Sequence, residues 1–266
     1  MPTHNRCNLV ERAVKSVLNQ TFTNVELIVV DDGSKDNTFE SLNKIDDKRL
    51  IILRNDSPKG ACYSRNLAIK HATGKYITGL DDDDYFKQER ISILLKSFDE
   101  KYSFVCDNSI SYNNGKYKFE NSLNRKVKLN DILESNTGNQ IFTLTERLIN
   151  VGLFDAELPS SQDYDLWTRL IIKYGEALQI AEHTYVYDIS HDGERISTSK
   201  RAIDGAKLYF EKYKERMTIS HKVTHYIRFS KYGHFIDRKQ AALIFKERGI
   251  KELIKCYLRY VYLKKN

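Results

Sequence analysis

The segment Val25-Glu26-Leu27-Ile28-Val29-Val30 is an almost unbroken apolar run that ends on two acids, Asp31 and Asp32. Such a run suits a strand buried on both faces, as in the interior of a parallel sheet. Helical patterning flanks it. Leu9, Val10, Ala13, Val14, Val17 and Leu18 recur at helical spacing, with Asn8 and Glu11 placed as in a capping box. Helix patterns near 37–44, 61–72 and 88–98 then alternate with strand patterns at 50–54, 76–80 and 103–107. This alternation predicts an α/β protein with a largely parallel sheet between helices. Residues 108–140 are polar and read as loop with short strands. A helix returns at about 163–174, followed by strands near 178–181 and 184–189. From Lys200 the pattern is helical, so the chain divides into an α/β domain, 1–199, and a helical tail, 200–266.

The 266 residues suffice for a large core without disulfides or structural metals. Cys7, Cys62, Cys106 and Cys256 lie far apart with no CxxC pair, which predicts reduced, mostly buried thiols. No apolar run approaches the ~20 residues needed to cross a bilayer. The opening MPTHNRCNLVERAVK lacks the apolar core of a signal peptide, so a cytoplasmic location is expected. The net charge of +7 raises three partners: nucleic acid, an anionic membrane surface or an anionic substrate. It is unevenly spread. Residues 1–199 hold 25 Lys+Arg and 30 Asp+Glu, whereas 200–266 hold 18 and 6. The last helix carries an apolar stripe of Ile250, Leu253, Ile254, Tyr257, Leu258, Val261 and Tyr262, with Lys251, Lys255 and Arg259 off it. That arrangement suits either packing on the rest of the chain or an anionic bilayer surface. No nucleic-acid-binding motif accompanies the charge.

Ligands of parallel α/β sheets bind beyond the carboxyl ends of the strands. Asp31 and Asp32 end one predicted strand, and Asp81, Asp82, Asp83 and Asp84 end another. Adjacent carboxylates repel one another unless a cation neutralises them. Oxygen-only ligands favour a hard ion, Mg2+ or Mn2+, which commonly also holds a substrate phosphate.

The stretches PTHNR, VLNQTF, VELIVVDDGSKDNT, YSRNLAIKHATGKYITGLDDDDYF and SQDYDLWTRL, in this order, resemble glycosyltransferase family 2 over about residues 2–195. The resemblance implies a GT-A fold, with the basic helical tail as a C-terminal extension. It implies inverting transfer of a sugar from a nucleotide donor, most simply a UDP-sugar, to an acceptor hydroxyl. By the same resemblance, Pro2, Thr3 and His4 hold the base and Asp32 contacts the uracil. Arg65 lies near the nucleotide, Asp83 binds Mn2+ or Mg2+, and Asp81 or Asp82 takes the ribose. Asp163 matches the family's general base. Gln162 replaces the usual glutamate on the acceptor side, and Trp167 either stacks on a sugar or joins the core. His191 is the candidate late metal ligand and Arg195 the candidate diphosphate partner, in a loop that closes over the donor.

Short family members with DDDDxF and QDYDLW-like motifs resemble O-antigen β-1,3-glucosyl- or galactosyltransferases acting on undecaprenyl-diphosphate-linked GlcNAc or GalNAc. The expected setting is therefore bacterial O-antigen or capsule synthesis, on the cytoplasmic face of the inner membrane. Family members also begin with an apolar strand immediately before the PT-N motif, where only Met1 stands here, and a start upstream in the gene is expected. Two other readings compete. A nucleotidyltransferase would need a Gly-rich basic triphosphate loop, which PTHNR is not. A non-catalytic membrane-associated partner is favoured only by the basic tail.

Overall fold

The computed structural model describes residues 1–136, 140–190 and 201–265, and these form two compact units. The first takes Met1–Leu129, 140–156 and 163–190; the second takes Asn130–Asn136, Glu157–Gln162 and 201–265.

In the α/β unit, β1 (Pro2–Thr3), β2 (Leu27–Asp31) and β3 (Leu50–Arg54) form a wholly parallel sheet in that order. All five β2 residues are buried, as the apolar run requires. The helices α1 (Val10–Leu18), α2 (Thr38–Asn43) and α3 (Ala61–His71) belong to this half. The predicted apolar face of α1 packs through Val10, Val14 and Val17 into one cluster with Val29, Leu42 and Phe86. Its start differs from expectation. Leu9 occupies the N-cap position, no side chain caps the helix, and Asn8 is exposed. The Arg6 carbonyl instead accepts from the N–H groups of Leu9 and Val10, so the capping box does not form.

The second sheet joins β4 (Tyr76–Thr78), β5 (Tyr85–Phe86), β6 (Val105–Asn113), β7 (Lys116–Phe119), β8 (Arg125–Val127), β9 (Phe142–Leu144) and β10 (Ala177–Asp188). Its main path runs β4-β9-β6-β10-β5, with β7 on β6 and β8 on β10. The β6–β10 pair is parallel and the other pairings are antiparallel. The two strands expected at 178–181 and 184–189 are one strand, whose register against β6 shifts between Gln179 and Tyr185. The polar region after residue 107 begins as a β6–β7 hairpin. Its two turn residues, Asn114 (φ 45) and Gly115 (φ 85), both take positive φ, as a two-residue hairpin turn demands. Helices α4 (Arg90–Ser97), α6 (Thr145–Asn150) and α7 (Gln162–Tyr174) complete this half. An apolar cavity of about 480 Å3 lies between β2 and β4, lined by Met1, Val17, Ile28, Tyr76, Ile77 and Phe142 among others.

A fully buried cation locks the second sheet. Arg90 donates to Asp107 at 2.5 Å, to Thr184 at 3.1 Å and to the Gln140 carbonyl at 3.0 Å, with its guanidinium over the Phe86 ring. Its Nε has no hydrogen-bond partner among the described residues, so the pairing rests on the two terminal nitrogens. Here the same side chain fixes β6, β10 and the approach to β9, and so fixes Gln140.

The helical unit comprises α8 (Arg201–Tyr213), α9 (Ile219–Lys231) and α10 (Arg238–Lys265), with α5 (Leu129–Glu134) and residues 157–162. It therefore takes more of the chain than the tail alone. His225 lies wholly buried against the Leu133 carbonyl at 2.9 Å, and burial pushes its imidazole down to about 4. Gly205 in α8 lies against Ser160, whose backbone a Cβ at that position would meet at 2.4 Å. α10 bends at Gly249 (φ 79, ψ 175). The predicted stripe, which follows the bend, is divided by its packing. Leu253 and the neighbouring Cys256 pack with Val223 and Ile244, whereas Ile250, Ile254, Tyr257 and Leu258 stay exposed.

Candidate active site

At the end of β2 the two acids have separate roles. Asp31, fully buried, accepts from the Ser34 N–H at 3.0 Å and pairs with Arg54, so it shapes the turn. Gly33 is needed in that turn: its φ is +69, and a Cβ would come within 2.9 Å of the Ser57 backbone. Asp32 accepts from Asn55 Nδ2 at 2.7 Å, Lys59 N at 2.9 Å and Gly60 N at 2.7 Å. Burial alone would raise its pKa, but these donors outweigh it and hold the carboxyl below its ordinary value. His4 is exposed, and its ring shares a 2.8 Å hydrogen bond with the Asp32 carbonyl. Asn5 and Cys7 anchor the same loop to Ser34 and Asp36, so the PTHNR loop lies on the DDGS turn.

The four aspartates after β4 are not equivalent. Asp81 accepts from Arg65 at 2.7 Å and from Gln140 Nε2 at 3.4 Å. The Asp82 carboxyl is pushed up to about 6, first by burial and then by the charges of Asp83 and Asp81. The buried Thr3 hydroxyl lies beside it without meeting hydrogen-bond geometry, and with Arg6 it acts in the opposite sense. The Asp83 carbonyl accepts from Arg12 at 2.6 Å, and Arg12 also pairs with Asp188 at the end of β10. Asp84 points into the protein. It is fully buried, accepts from Tyr185 Oη at 2.7 Å and from Asp188 N at 3.0 Å, and is pushed up to about 8 by burial and by Asp81 and Asp83.

Asp84 is therefore structural, and burial biases its carboxyl toward the protonated form. A carboxyl raised in the folded state favours folding most at low pH, and this contribution fades as pH rises from ~4 to about 8. Asp84→Asn should fold normally and lose that pH dependence in urea melts. Asp84→Ala leaves two buried donors unpaired and should cost about 2–4 kcal/mol. Equal stability of the two variants would refute the assignment.

Three consecutive residues of α3 reach three parts of the site. Ser64 accepts from Asn55, which also holds Asp32. Arg65 binds Asp81, with its guanidinium 5.5 Å from the Phe154 ring centroid. Asn66 clamps the Phe154 backbone, accepting from its N–H at 2.9 Å and donating to its carbonyl at 2.8 Å. Asp163 lies in the first turn of α7, half-buried. Its Oδ1 is buried without a hydrogen-bond partner. Burial raises the carboxyl to about 6 against the opposing pull of Arg65, and Asp81 adds to the rise. Arg65 thus lies in the field of both Asp81 and Asp163.

On the acceptor side, Trp167 takes the core place that was one of its two expected roles. Trp167 is 2% exposed and lies between Phe104 and Phe154, each 6.1 Å away by ring centroid, so the chain covers the faces a sugar would need. Gln162 donates to the Leu158 carbonyl at 3.0 Å, one turn back. Asp165 is fully buried and pairs with Arg169, a structural partnership. His191 and Arg195 lie outside the described residues. Sequence reasoning missed Arg12, Asn66 and Gln140. Arg12 and Gln140 belong to no pattern that marks them. Asn66 stands beside Arg65 in the quoted motif, where its neighbour drew the attention.

Among the described residues, no group of three or more His, Cys, Asp or Glu side chains is arranged to hold a metal ion. Asp82 and Asp83 do present adjacent carboxyls whose mutual repulsion a cation would relieve. One or two carboxylates, completed by substrate phosphates, is the usual donor set of Mg2+. The residues present fit a cation of that kind.

The model of glycosyl transferase family 2 matches residues 1–156, and the chain belongs to this family. The putative colanic acid biosynthesis glycosyl transferase WcaA of Escherichia coli is 36% identical over 232 residues, covering 81% of this chain and 80% of that protein. An Escherichia coli β-1,3-glucosyltransferase, WfgD, acting between UDP-Glc and α-D-GlcNAc-diphosphoundecaprenol, is 31% identical over 179 residues, 64% of this chain and 68% of its own. The fold matches that of S. aureus TarS solved with UDP-GlcNAc, with a TM-score of 0.68 at 17% identity, over 98% of this chain and 86% of that one. The chain is thus a GT-A glycosyltransferase whose relatives act in polysaccharide biosynthesis.

Proposed function

We propose that the protein is an inverting, metal-dependent hexosyltransferase. It moves glucose or galactose from a UDP-sugar to a hydroxyl of a lipid-diphosphate-linked GlcNAc or GalNAc, in O-antigen or capsule synthesis, through a β-1,3 linkage. The observation that carries this reading is the Asp163 carboxyl, with one buried, unpartnered oxygen and a pKa raised to about 6, in the field of Arg65 and Asp81. A general base works best when its pKa lies near the working pH.

In this reading the acceptor oxygen attacks the anomeric carbon as the bond to the diphosphate oxygen breaks. Its proton goes to Asp163, UDP leaves, and single displacement inverts the anomeric configuration. Asp32 and the PTHNR loop hold the base, and Asp82 takes the ribose. Asp83 would hold the cation, which when bound offsets charge on the departing diphosphate. Arg65 positions Asp81 and steadies the base. The reaction of WfgD supports the choice of donor and acceptor. UDP release from a panel of UDP-sugars, with Mn2+ and a synthetic lipid-diphosphate acceptor, tests the reading. Sugar-selective release that disappears in Asp83→Ala is expected; release indifferent to metal and to Asp83 would defeat it.

With a lipid-linked acceptor, this reading has the enzyme work at the cytoplasmic face of the inner membrane. No described helix is long and apolar enough to cross a bilayer, so contact is assigned to the exposed side chains of α10 among their lysines. Removing residues 245–266 would also strip Leu253 and Cys256 from the core of the helical unit, so point variants are the cleaner probe. Ile254→Asn with Leu258→Asn should lower binding to anionic vesicles about tenfold or more. Undiminished binding would remove α10 from the argument.

A further inference from the structure

The helical unit contains a hollow of about 430 Å3. Its floor is aromatic: Phe210 of α8 lies 5.6 Å from Phe229 and 5.5 Å from Tyr226 of α9 by ring centroid. Its rim is cationic. Lys207 lies on α8, Lys214 stands about two turns on in the 3-10 turn that follows it (Lys214–Arg216), and Lys222 faces them from α9, with Glu211 of α8 also on the rim. Lys214 is matched by Glu211 at 2.6 Å. Lys207 and Lys222 make no ion pair among the described residues. His234 closes one side, and burial together with the Lys207 charge holds its imidazole low, so it adds a ring nitrogen rather than a third uncompensated charge.

Two unmatched ammonium groups over an apolar floor favour an anion attached to something less polar. The hollow has the size of a small-molecule site. The same unit exposes Phe235, Phe245, Ile250 and Tyr257 and carries most of the chain's excess positive charge, which selects a lipid over a free anion. We propose that this hollow binds the phosphate headgroup of an anionic phospholipid, with Lys207 and Lys222 holding the phosphate. The proposal extends the reading that the helical unit meets a bilayer and adds a discrete site to it.

Vesicle sedimentation tests it, with phosphatidylcholine alone or mixed with phosphatidylglycerol. Lys207→Ala with Lys222→Ala should weaken binding to the mixed vesicles about tenfold or more. The pair Lys231→Ala with Lys239→Ala removes equal charge from exposed positions outside the hollow and should change binding less than about threefold. Lys207→Arg with Lys222→Arg, which keeps the charge, should retain binding, and circular dichroism checks that each variant is folded. Equal losses in the two alanine pairs would mean diffuse attraction and overturn the site. Soluble glycerol phosphate forms the second arm. If it binds the wild type and not the hollow variant, while vesicle binding is the same for both, the ligand is a free phosphate and the lipid assignment fails. If the hollow variant binds vesicles like wild type while the Ile254/Leu258 variant does not, the hollow is wrong and the α10 reading stands.

Discussion

Asp163→Asn should lower kcat by about 10²–10⁴-fold while leaving UDP-sugar affinity unchanged. Asparagine keeps the shape of the side chain, so the first turn of α7 is preserved, but it cannot take a proton. The pH profile provides a second readout. A base must be ionised to act, and burial sets this carboxyl near 6 rather than at the ~4 of an exposed aspartate. The wild-type kcat/KM should therefore fall below an acid limb near pH 6, and that limb should vanish from the residual activity of Asp163→Asn. Normal transfer by the asparagine variant would assign the base elsewhere. Weakened donor binding would instead mean that Asp163 belongs to the nucleotide half of the site.

Arg65→Gln should displace the same limb. The guanidinium favours the ionised form of Asp163, so its loss makes that proton harder to remove. The acid limb should climb from about 6 toward neutrality. Activity at pH 7 should drop about 10²-fold, because Asp81 loses its 2.7 Å partner and the donor its placement. Raising the pH should recover part of the loss. A variant that is slow at every pH with an unmoved limb would show that Arg65 acts on the donor alone. A purely structural arginine would change stability and leave the profile where it was.

Much of this site could be read from local pattern. The apolar run of β2, the acids at the ends of β2 and β4, and the acid at the start of α7 each announce themselves within about ten residues. What could not be read depended on partners far along the chain. Asp81 to Asp84 are the same letter four times. Tyr185 and the Asp188 N–H, about a hundred residues away, turn Asp84 into the protein, while Arg65 and Gln140 claim Asp81. Trp167 looked like either core or ligand until Phe104 and Phe154 closed over it. Asn8 offered a cap that the Arg6 carbonyl made unnecessary. The β6–β7 hairpin was legible in principle, since Asn114-Gly115 is a strong turn signal, but it lay inside a polar stretch read as loop with short strands that were not placed.

In the proposed mechanism the residues that grip the donor come from the first 83 positions and the base from position 163, and the Arg65 side chain feels acids from both groups. That division bears on how such enzymes diversify. A lineage could exchange the segments that choose the acceptor and keep its sugar-nucleotide half, provided an acid still opens the α7 helix within reach of one arginine. Chimeras cut after residue 156, with the α7 aspartate retained, would be the natural starting point for redirecting this transferase to a new acceptor.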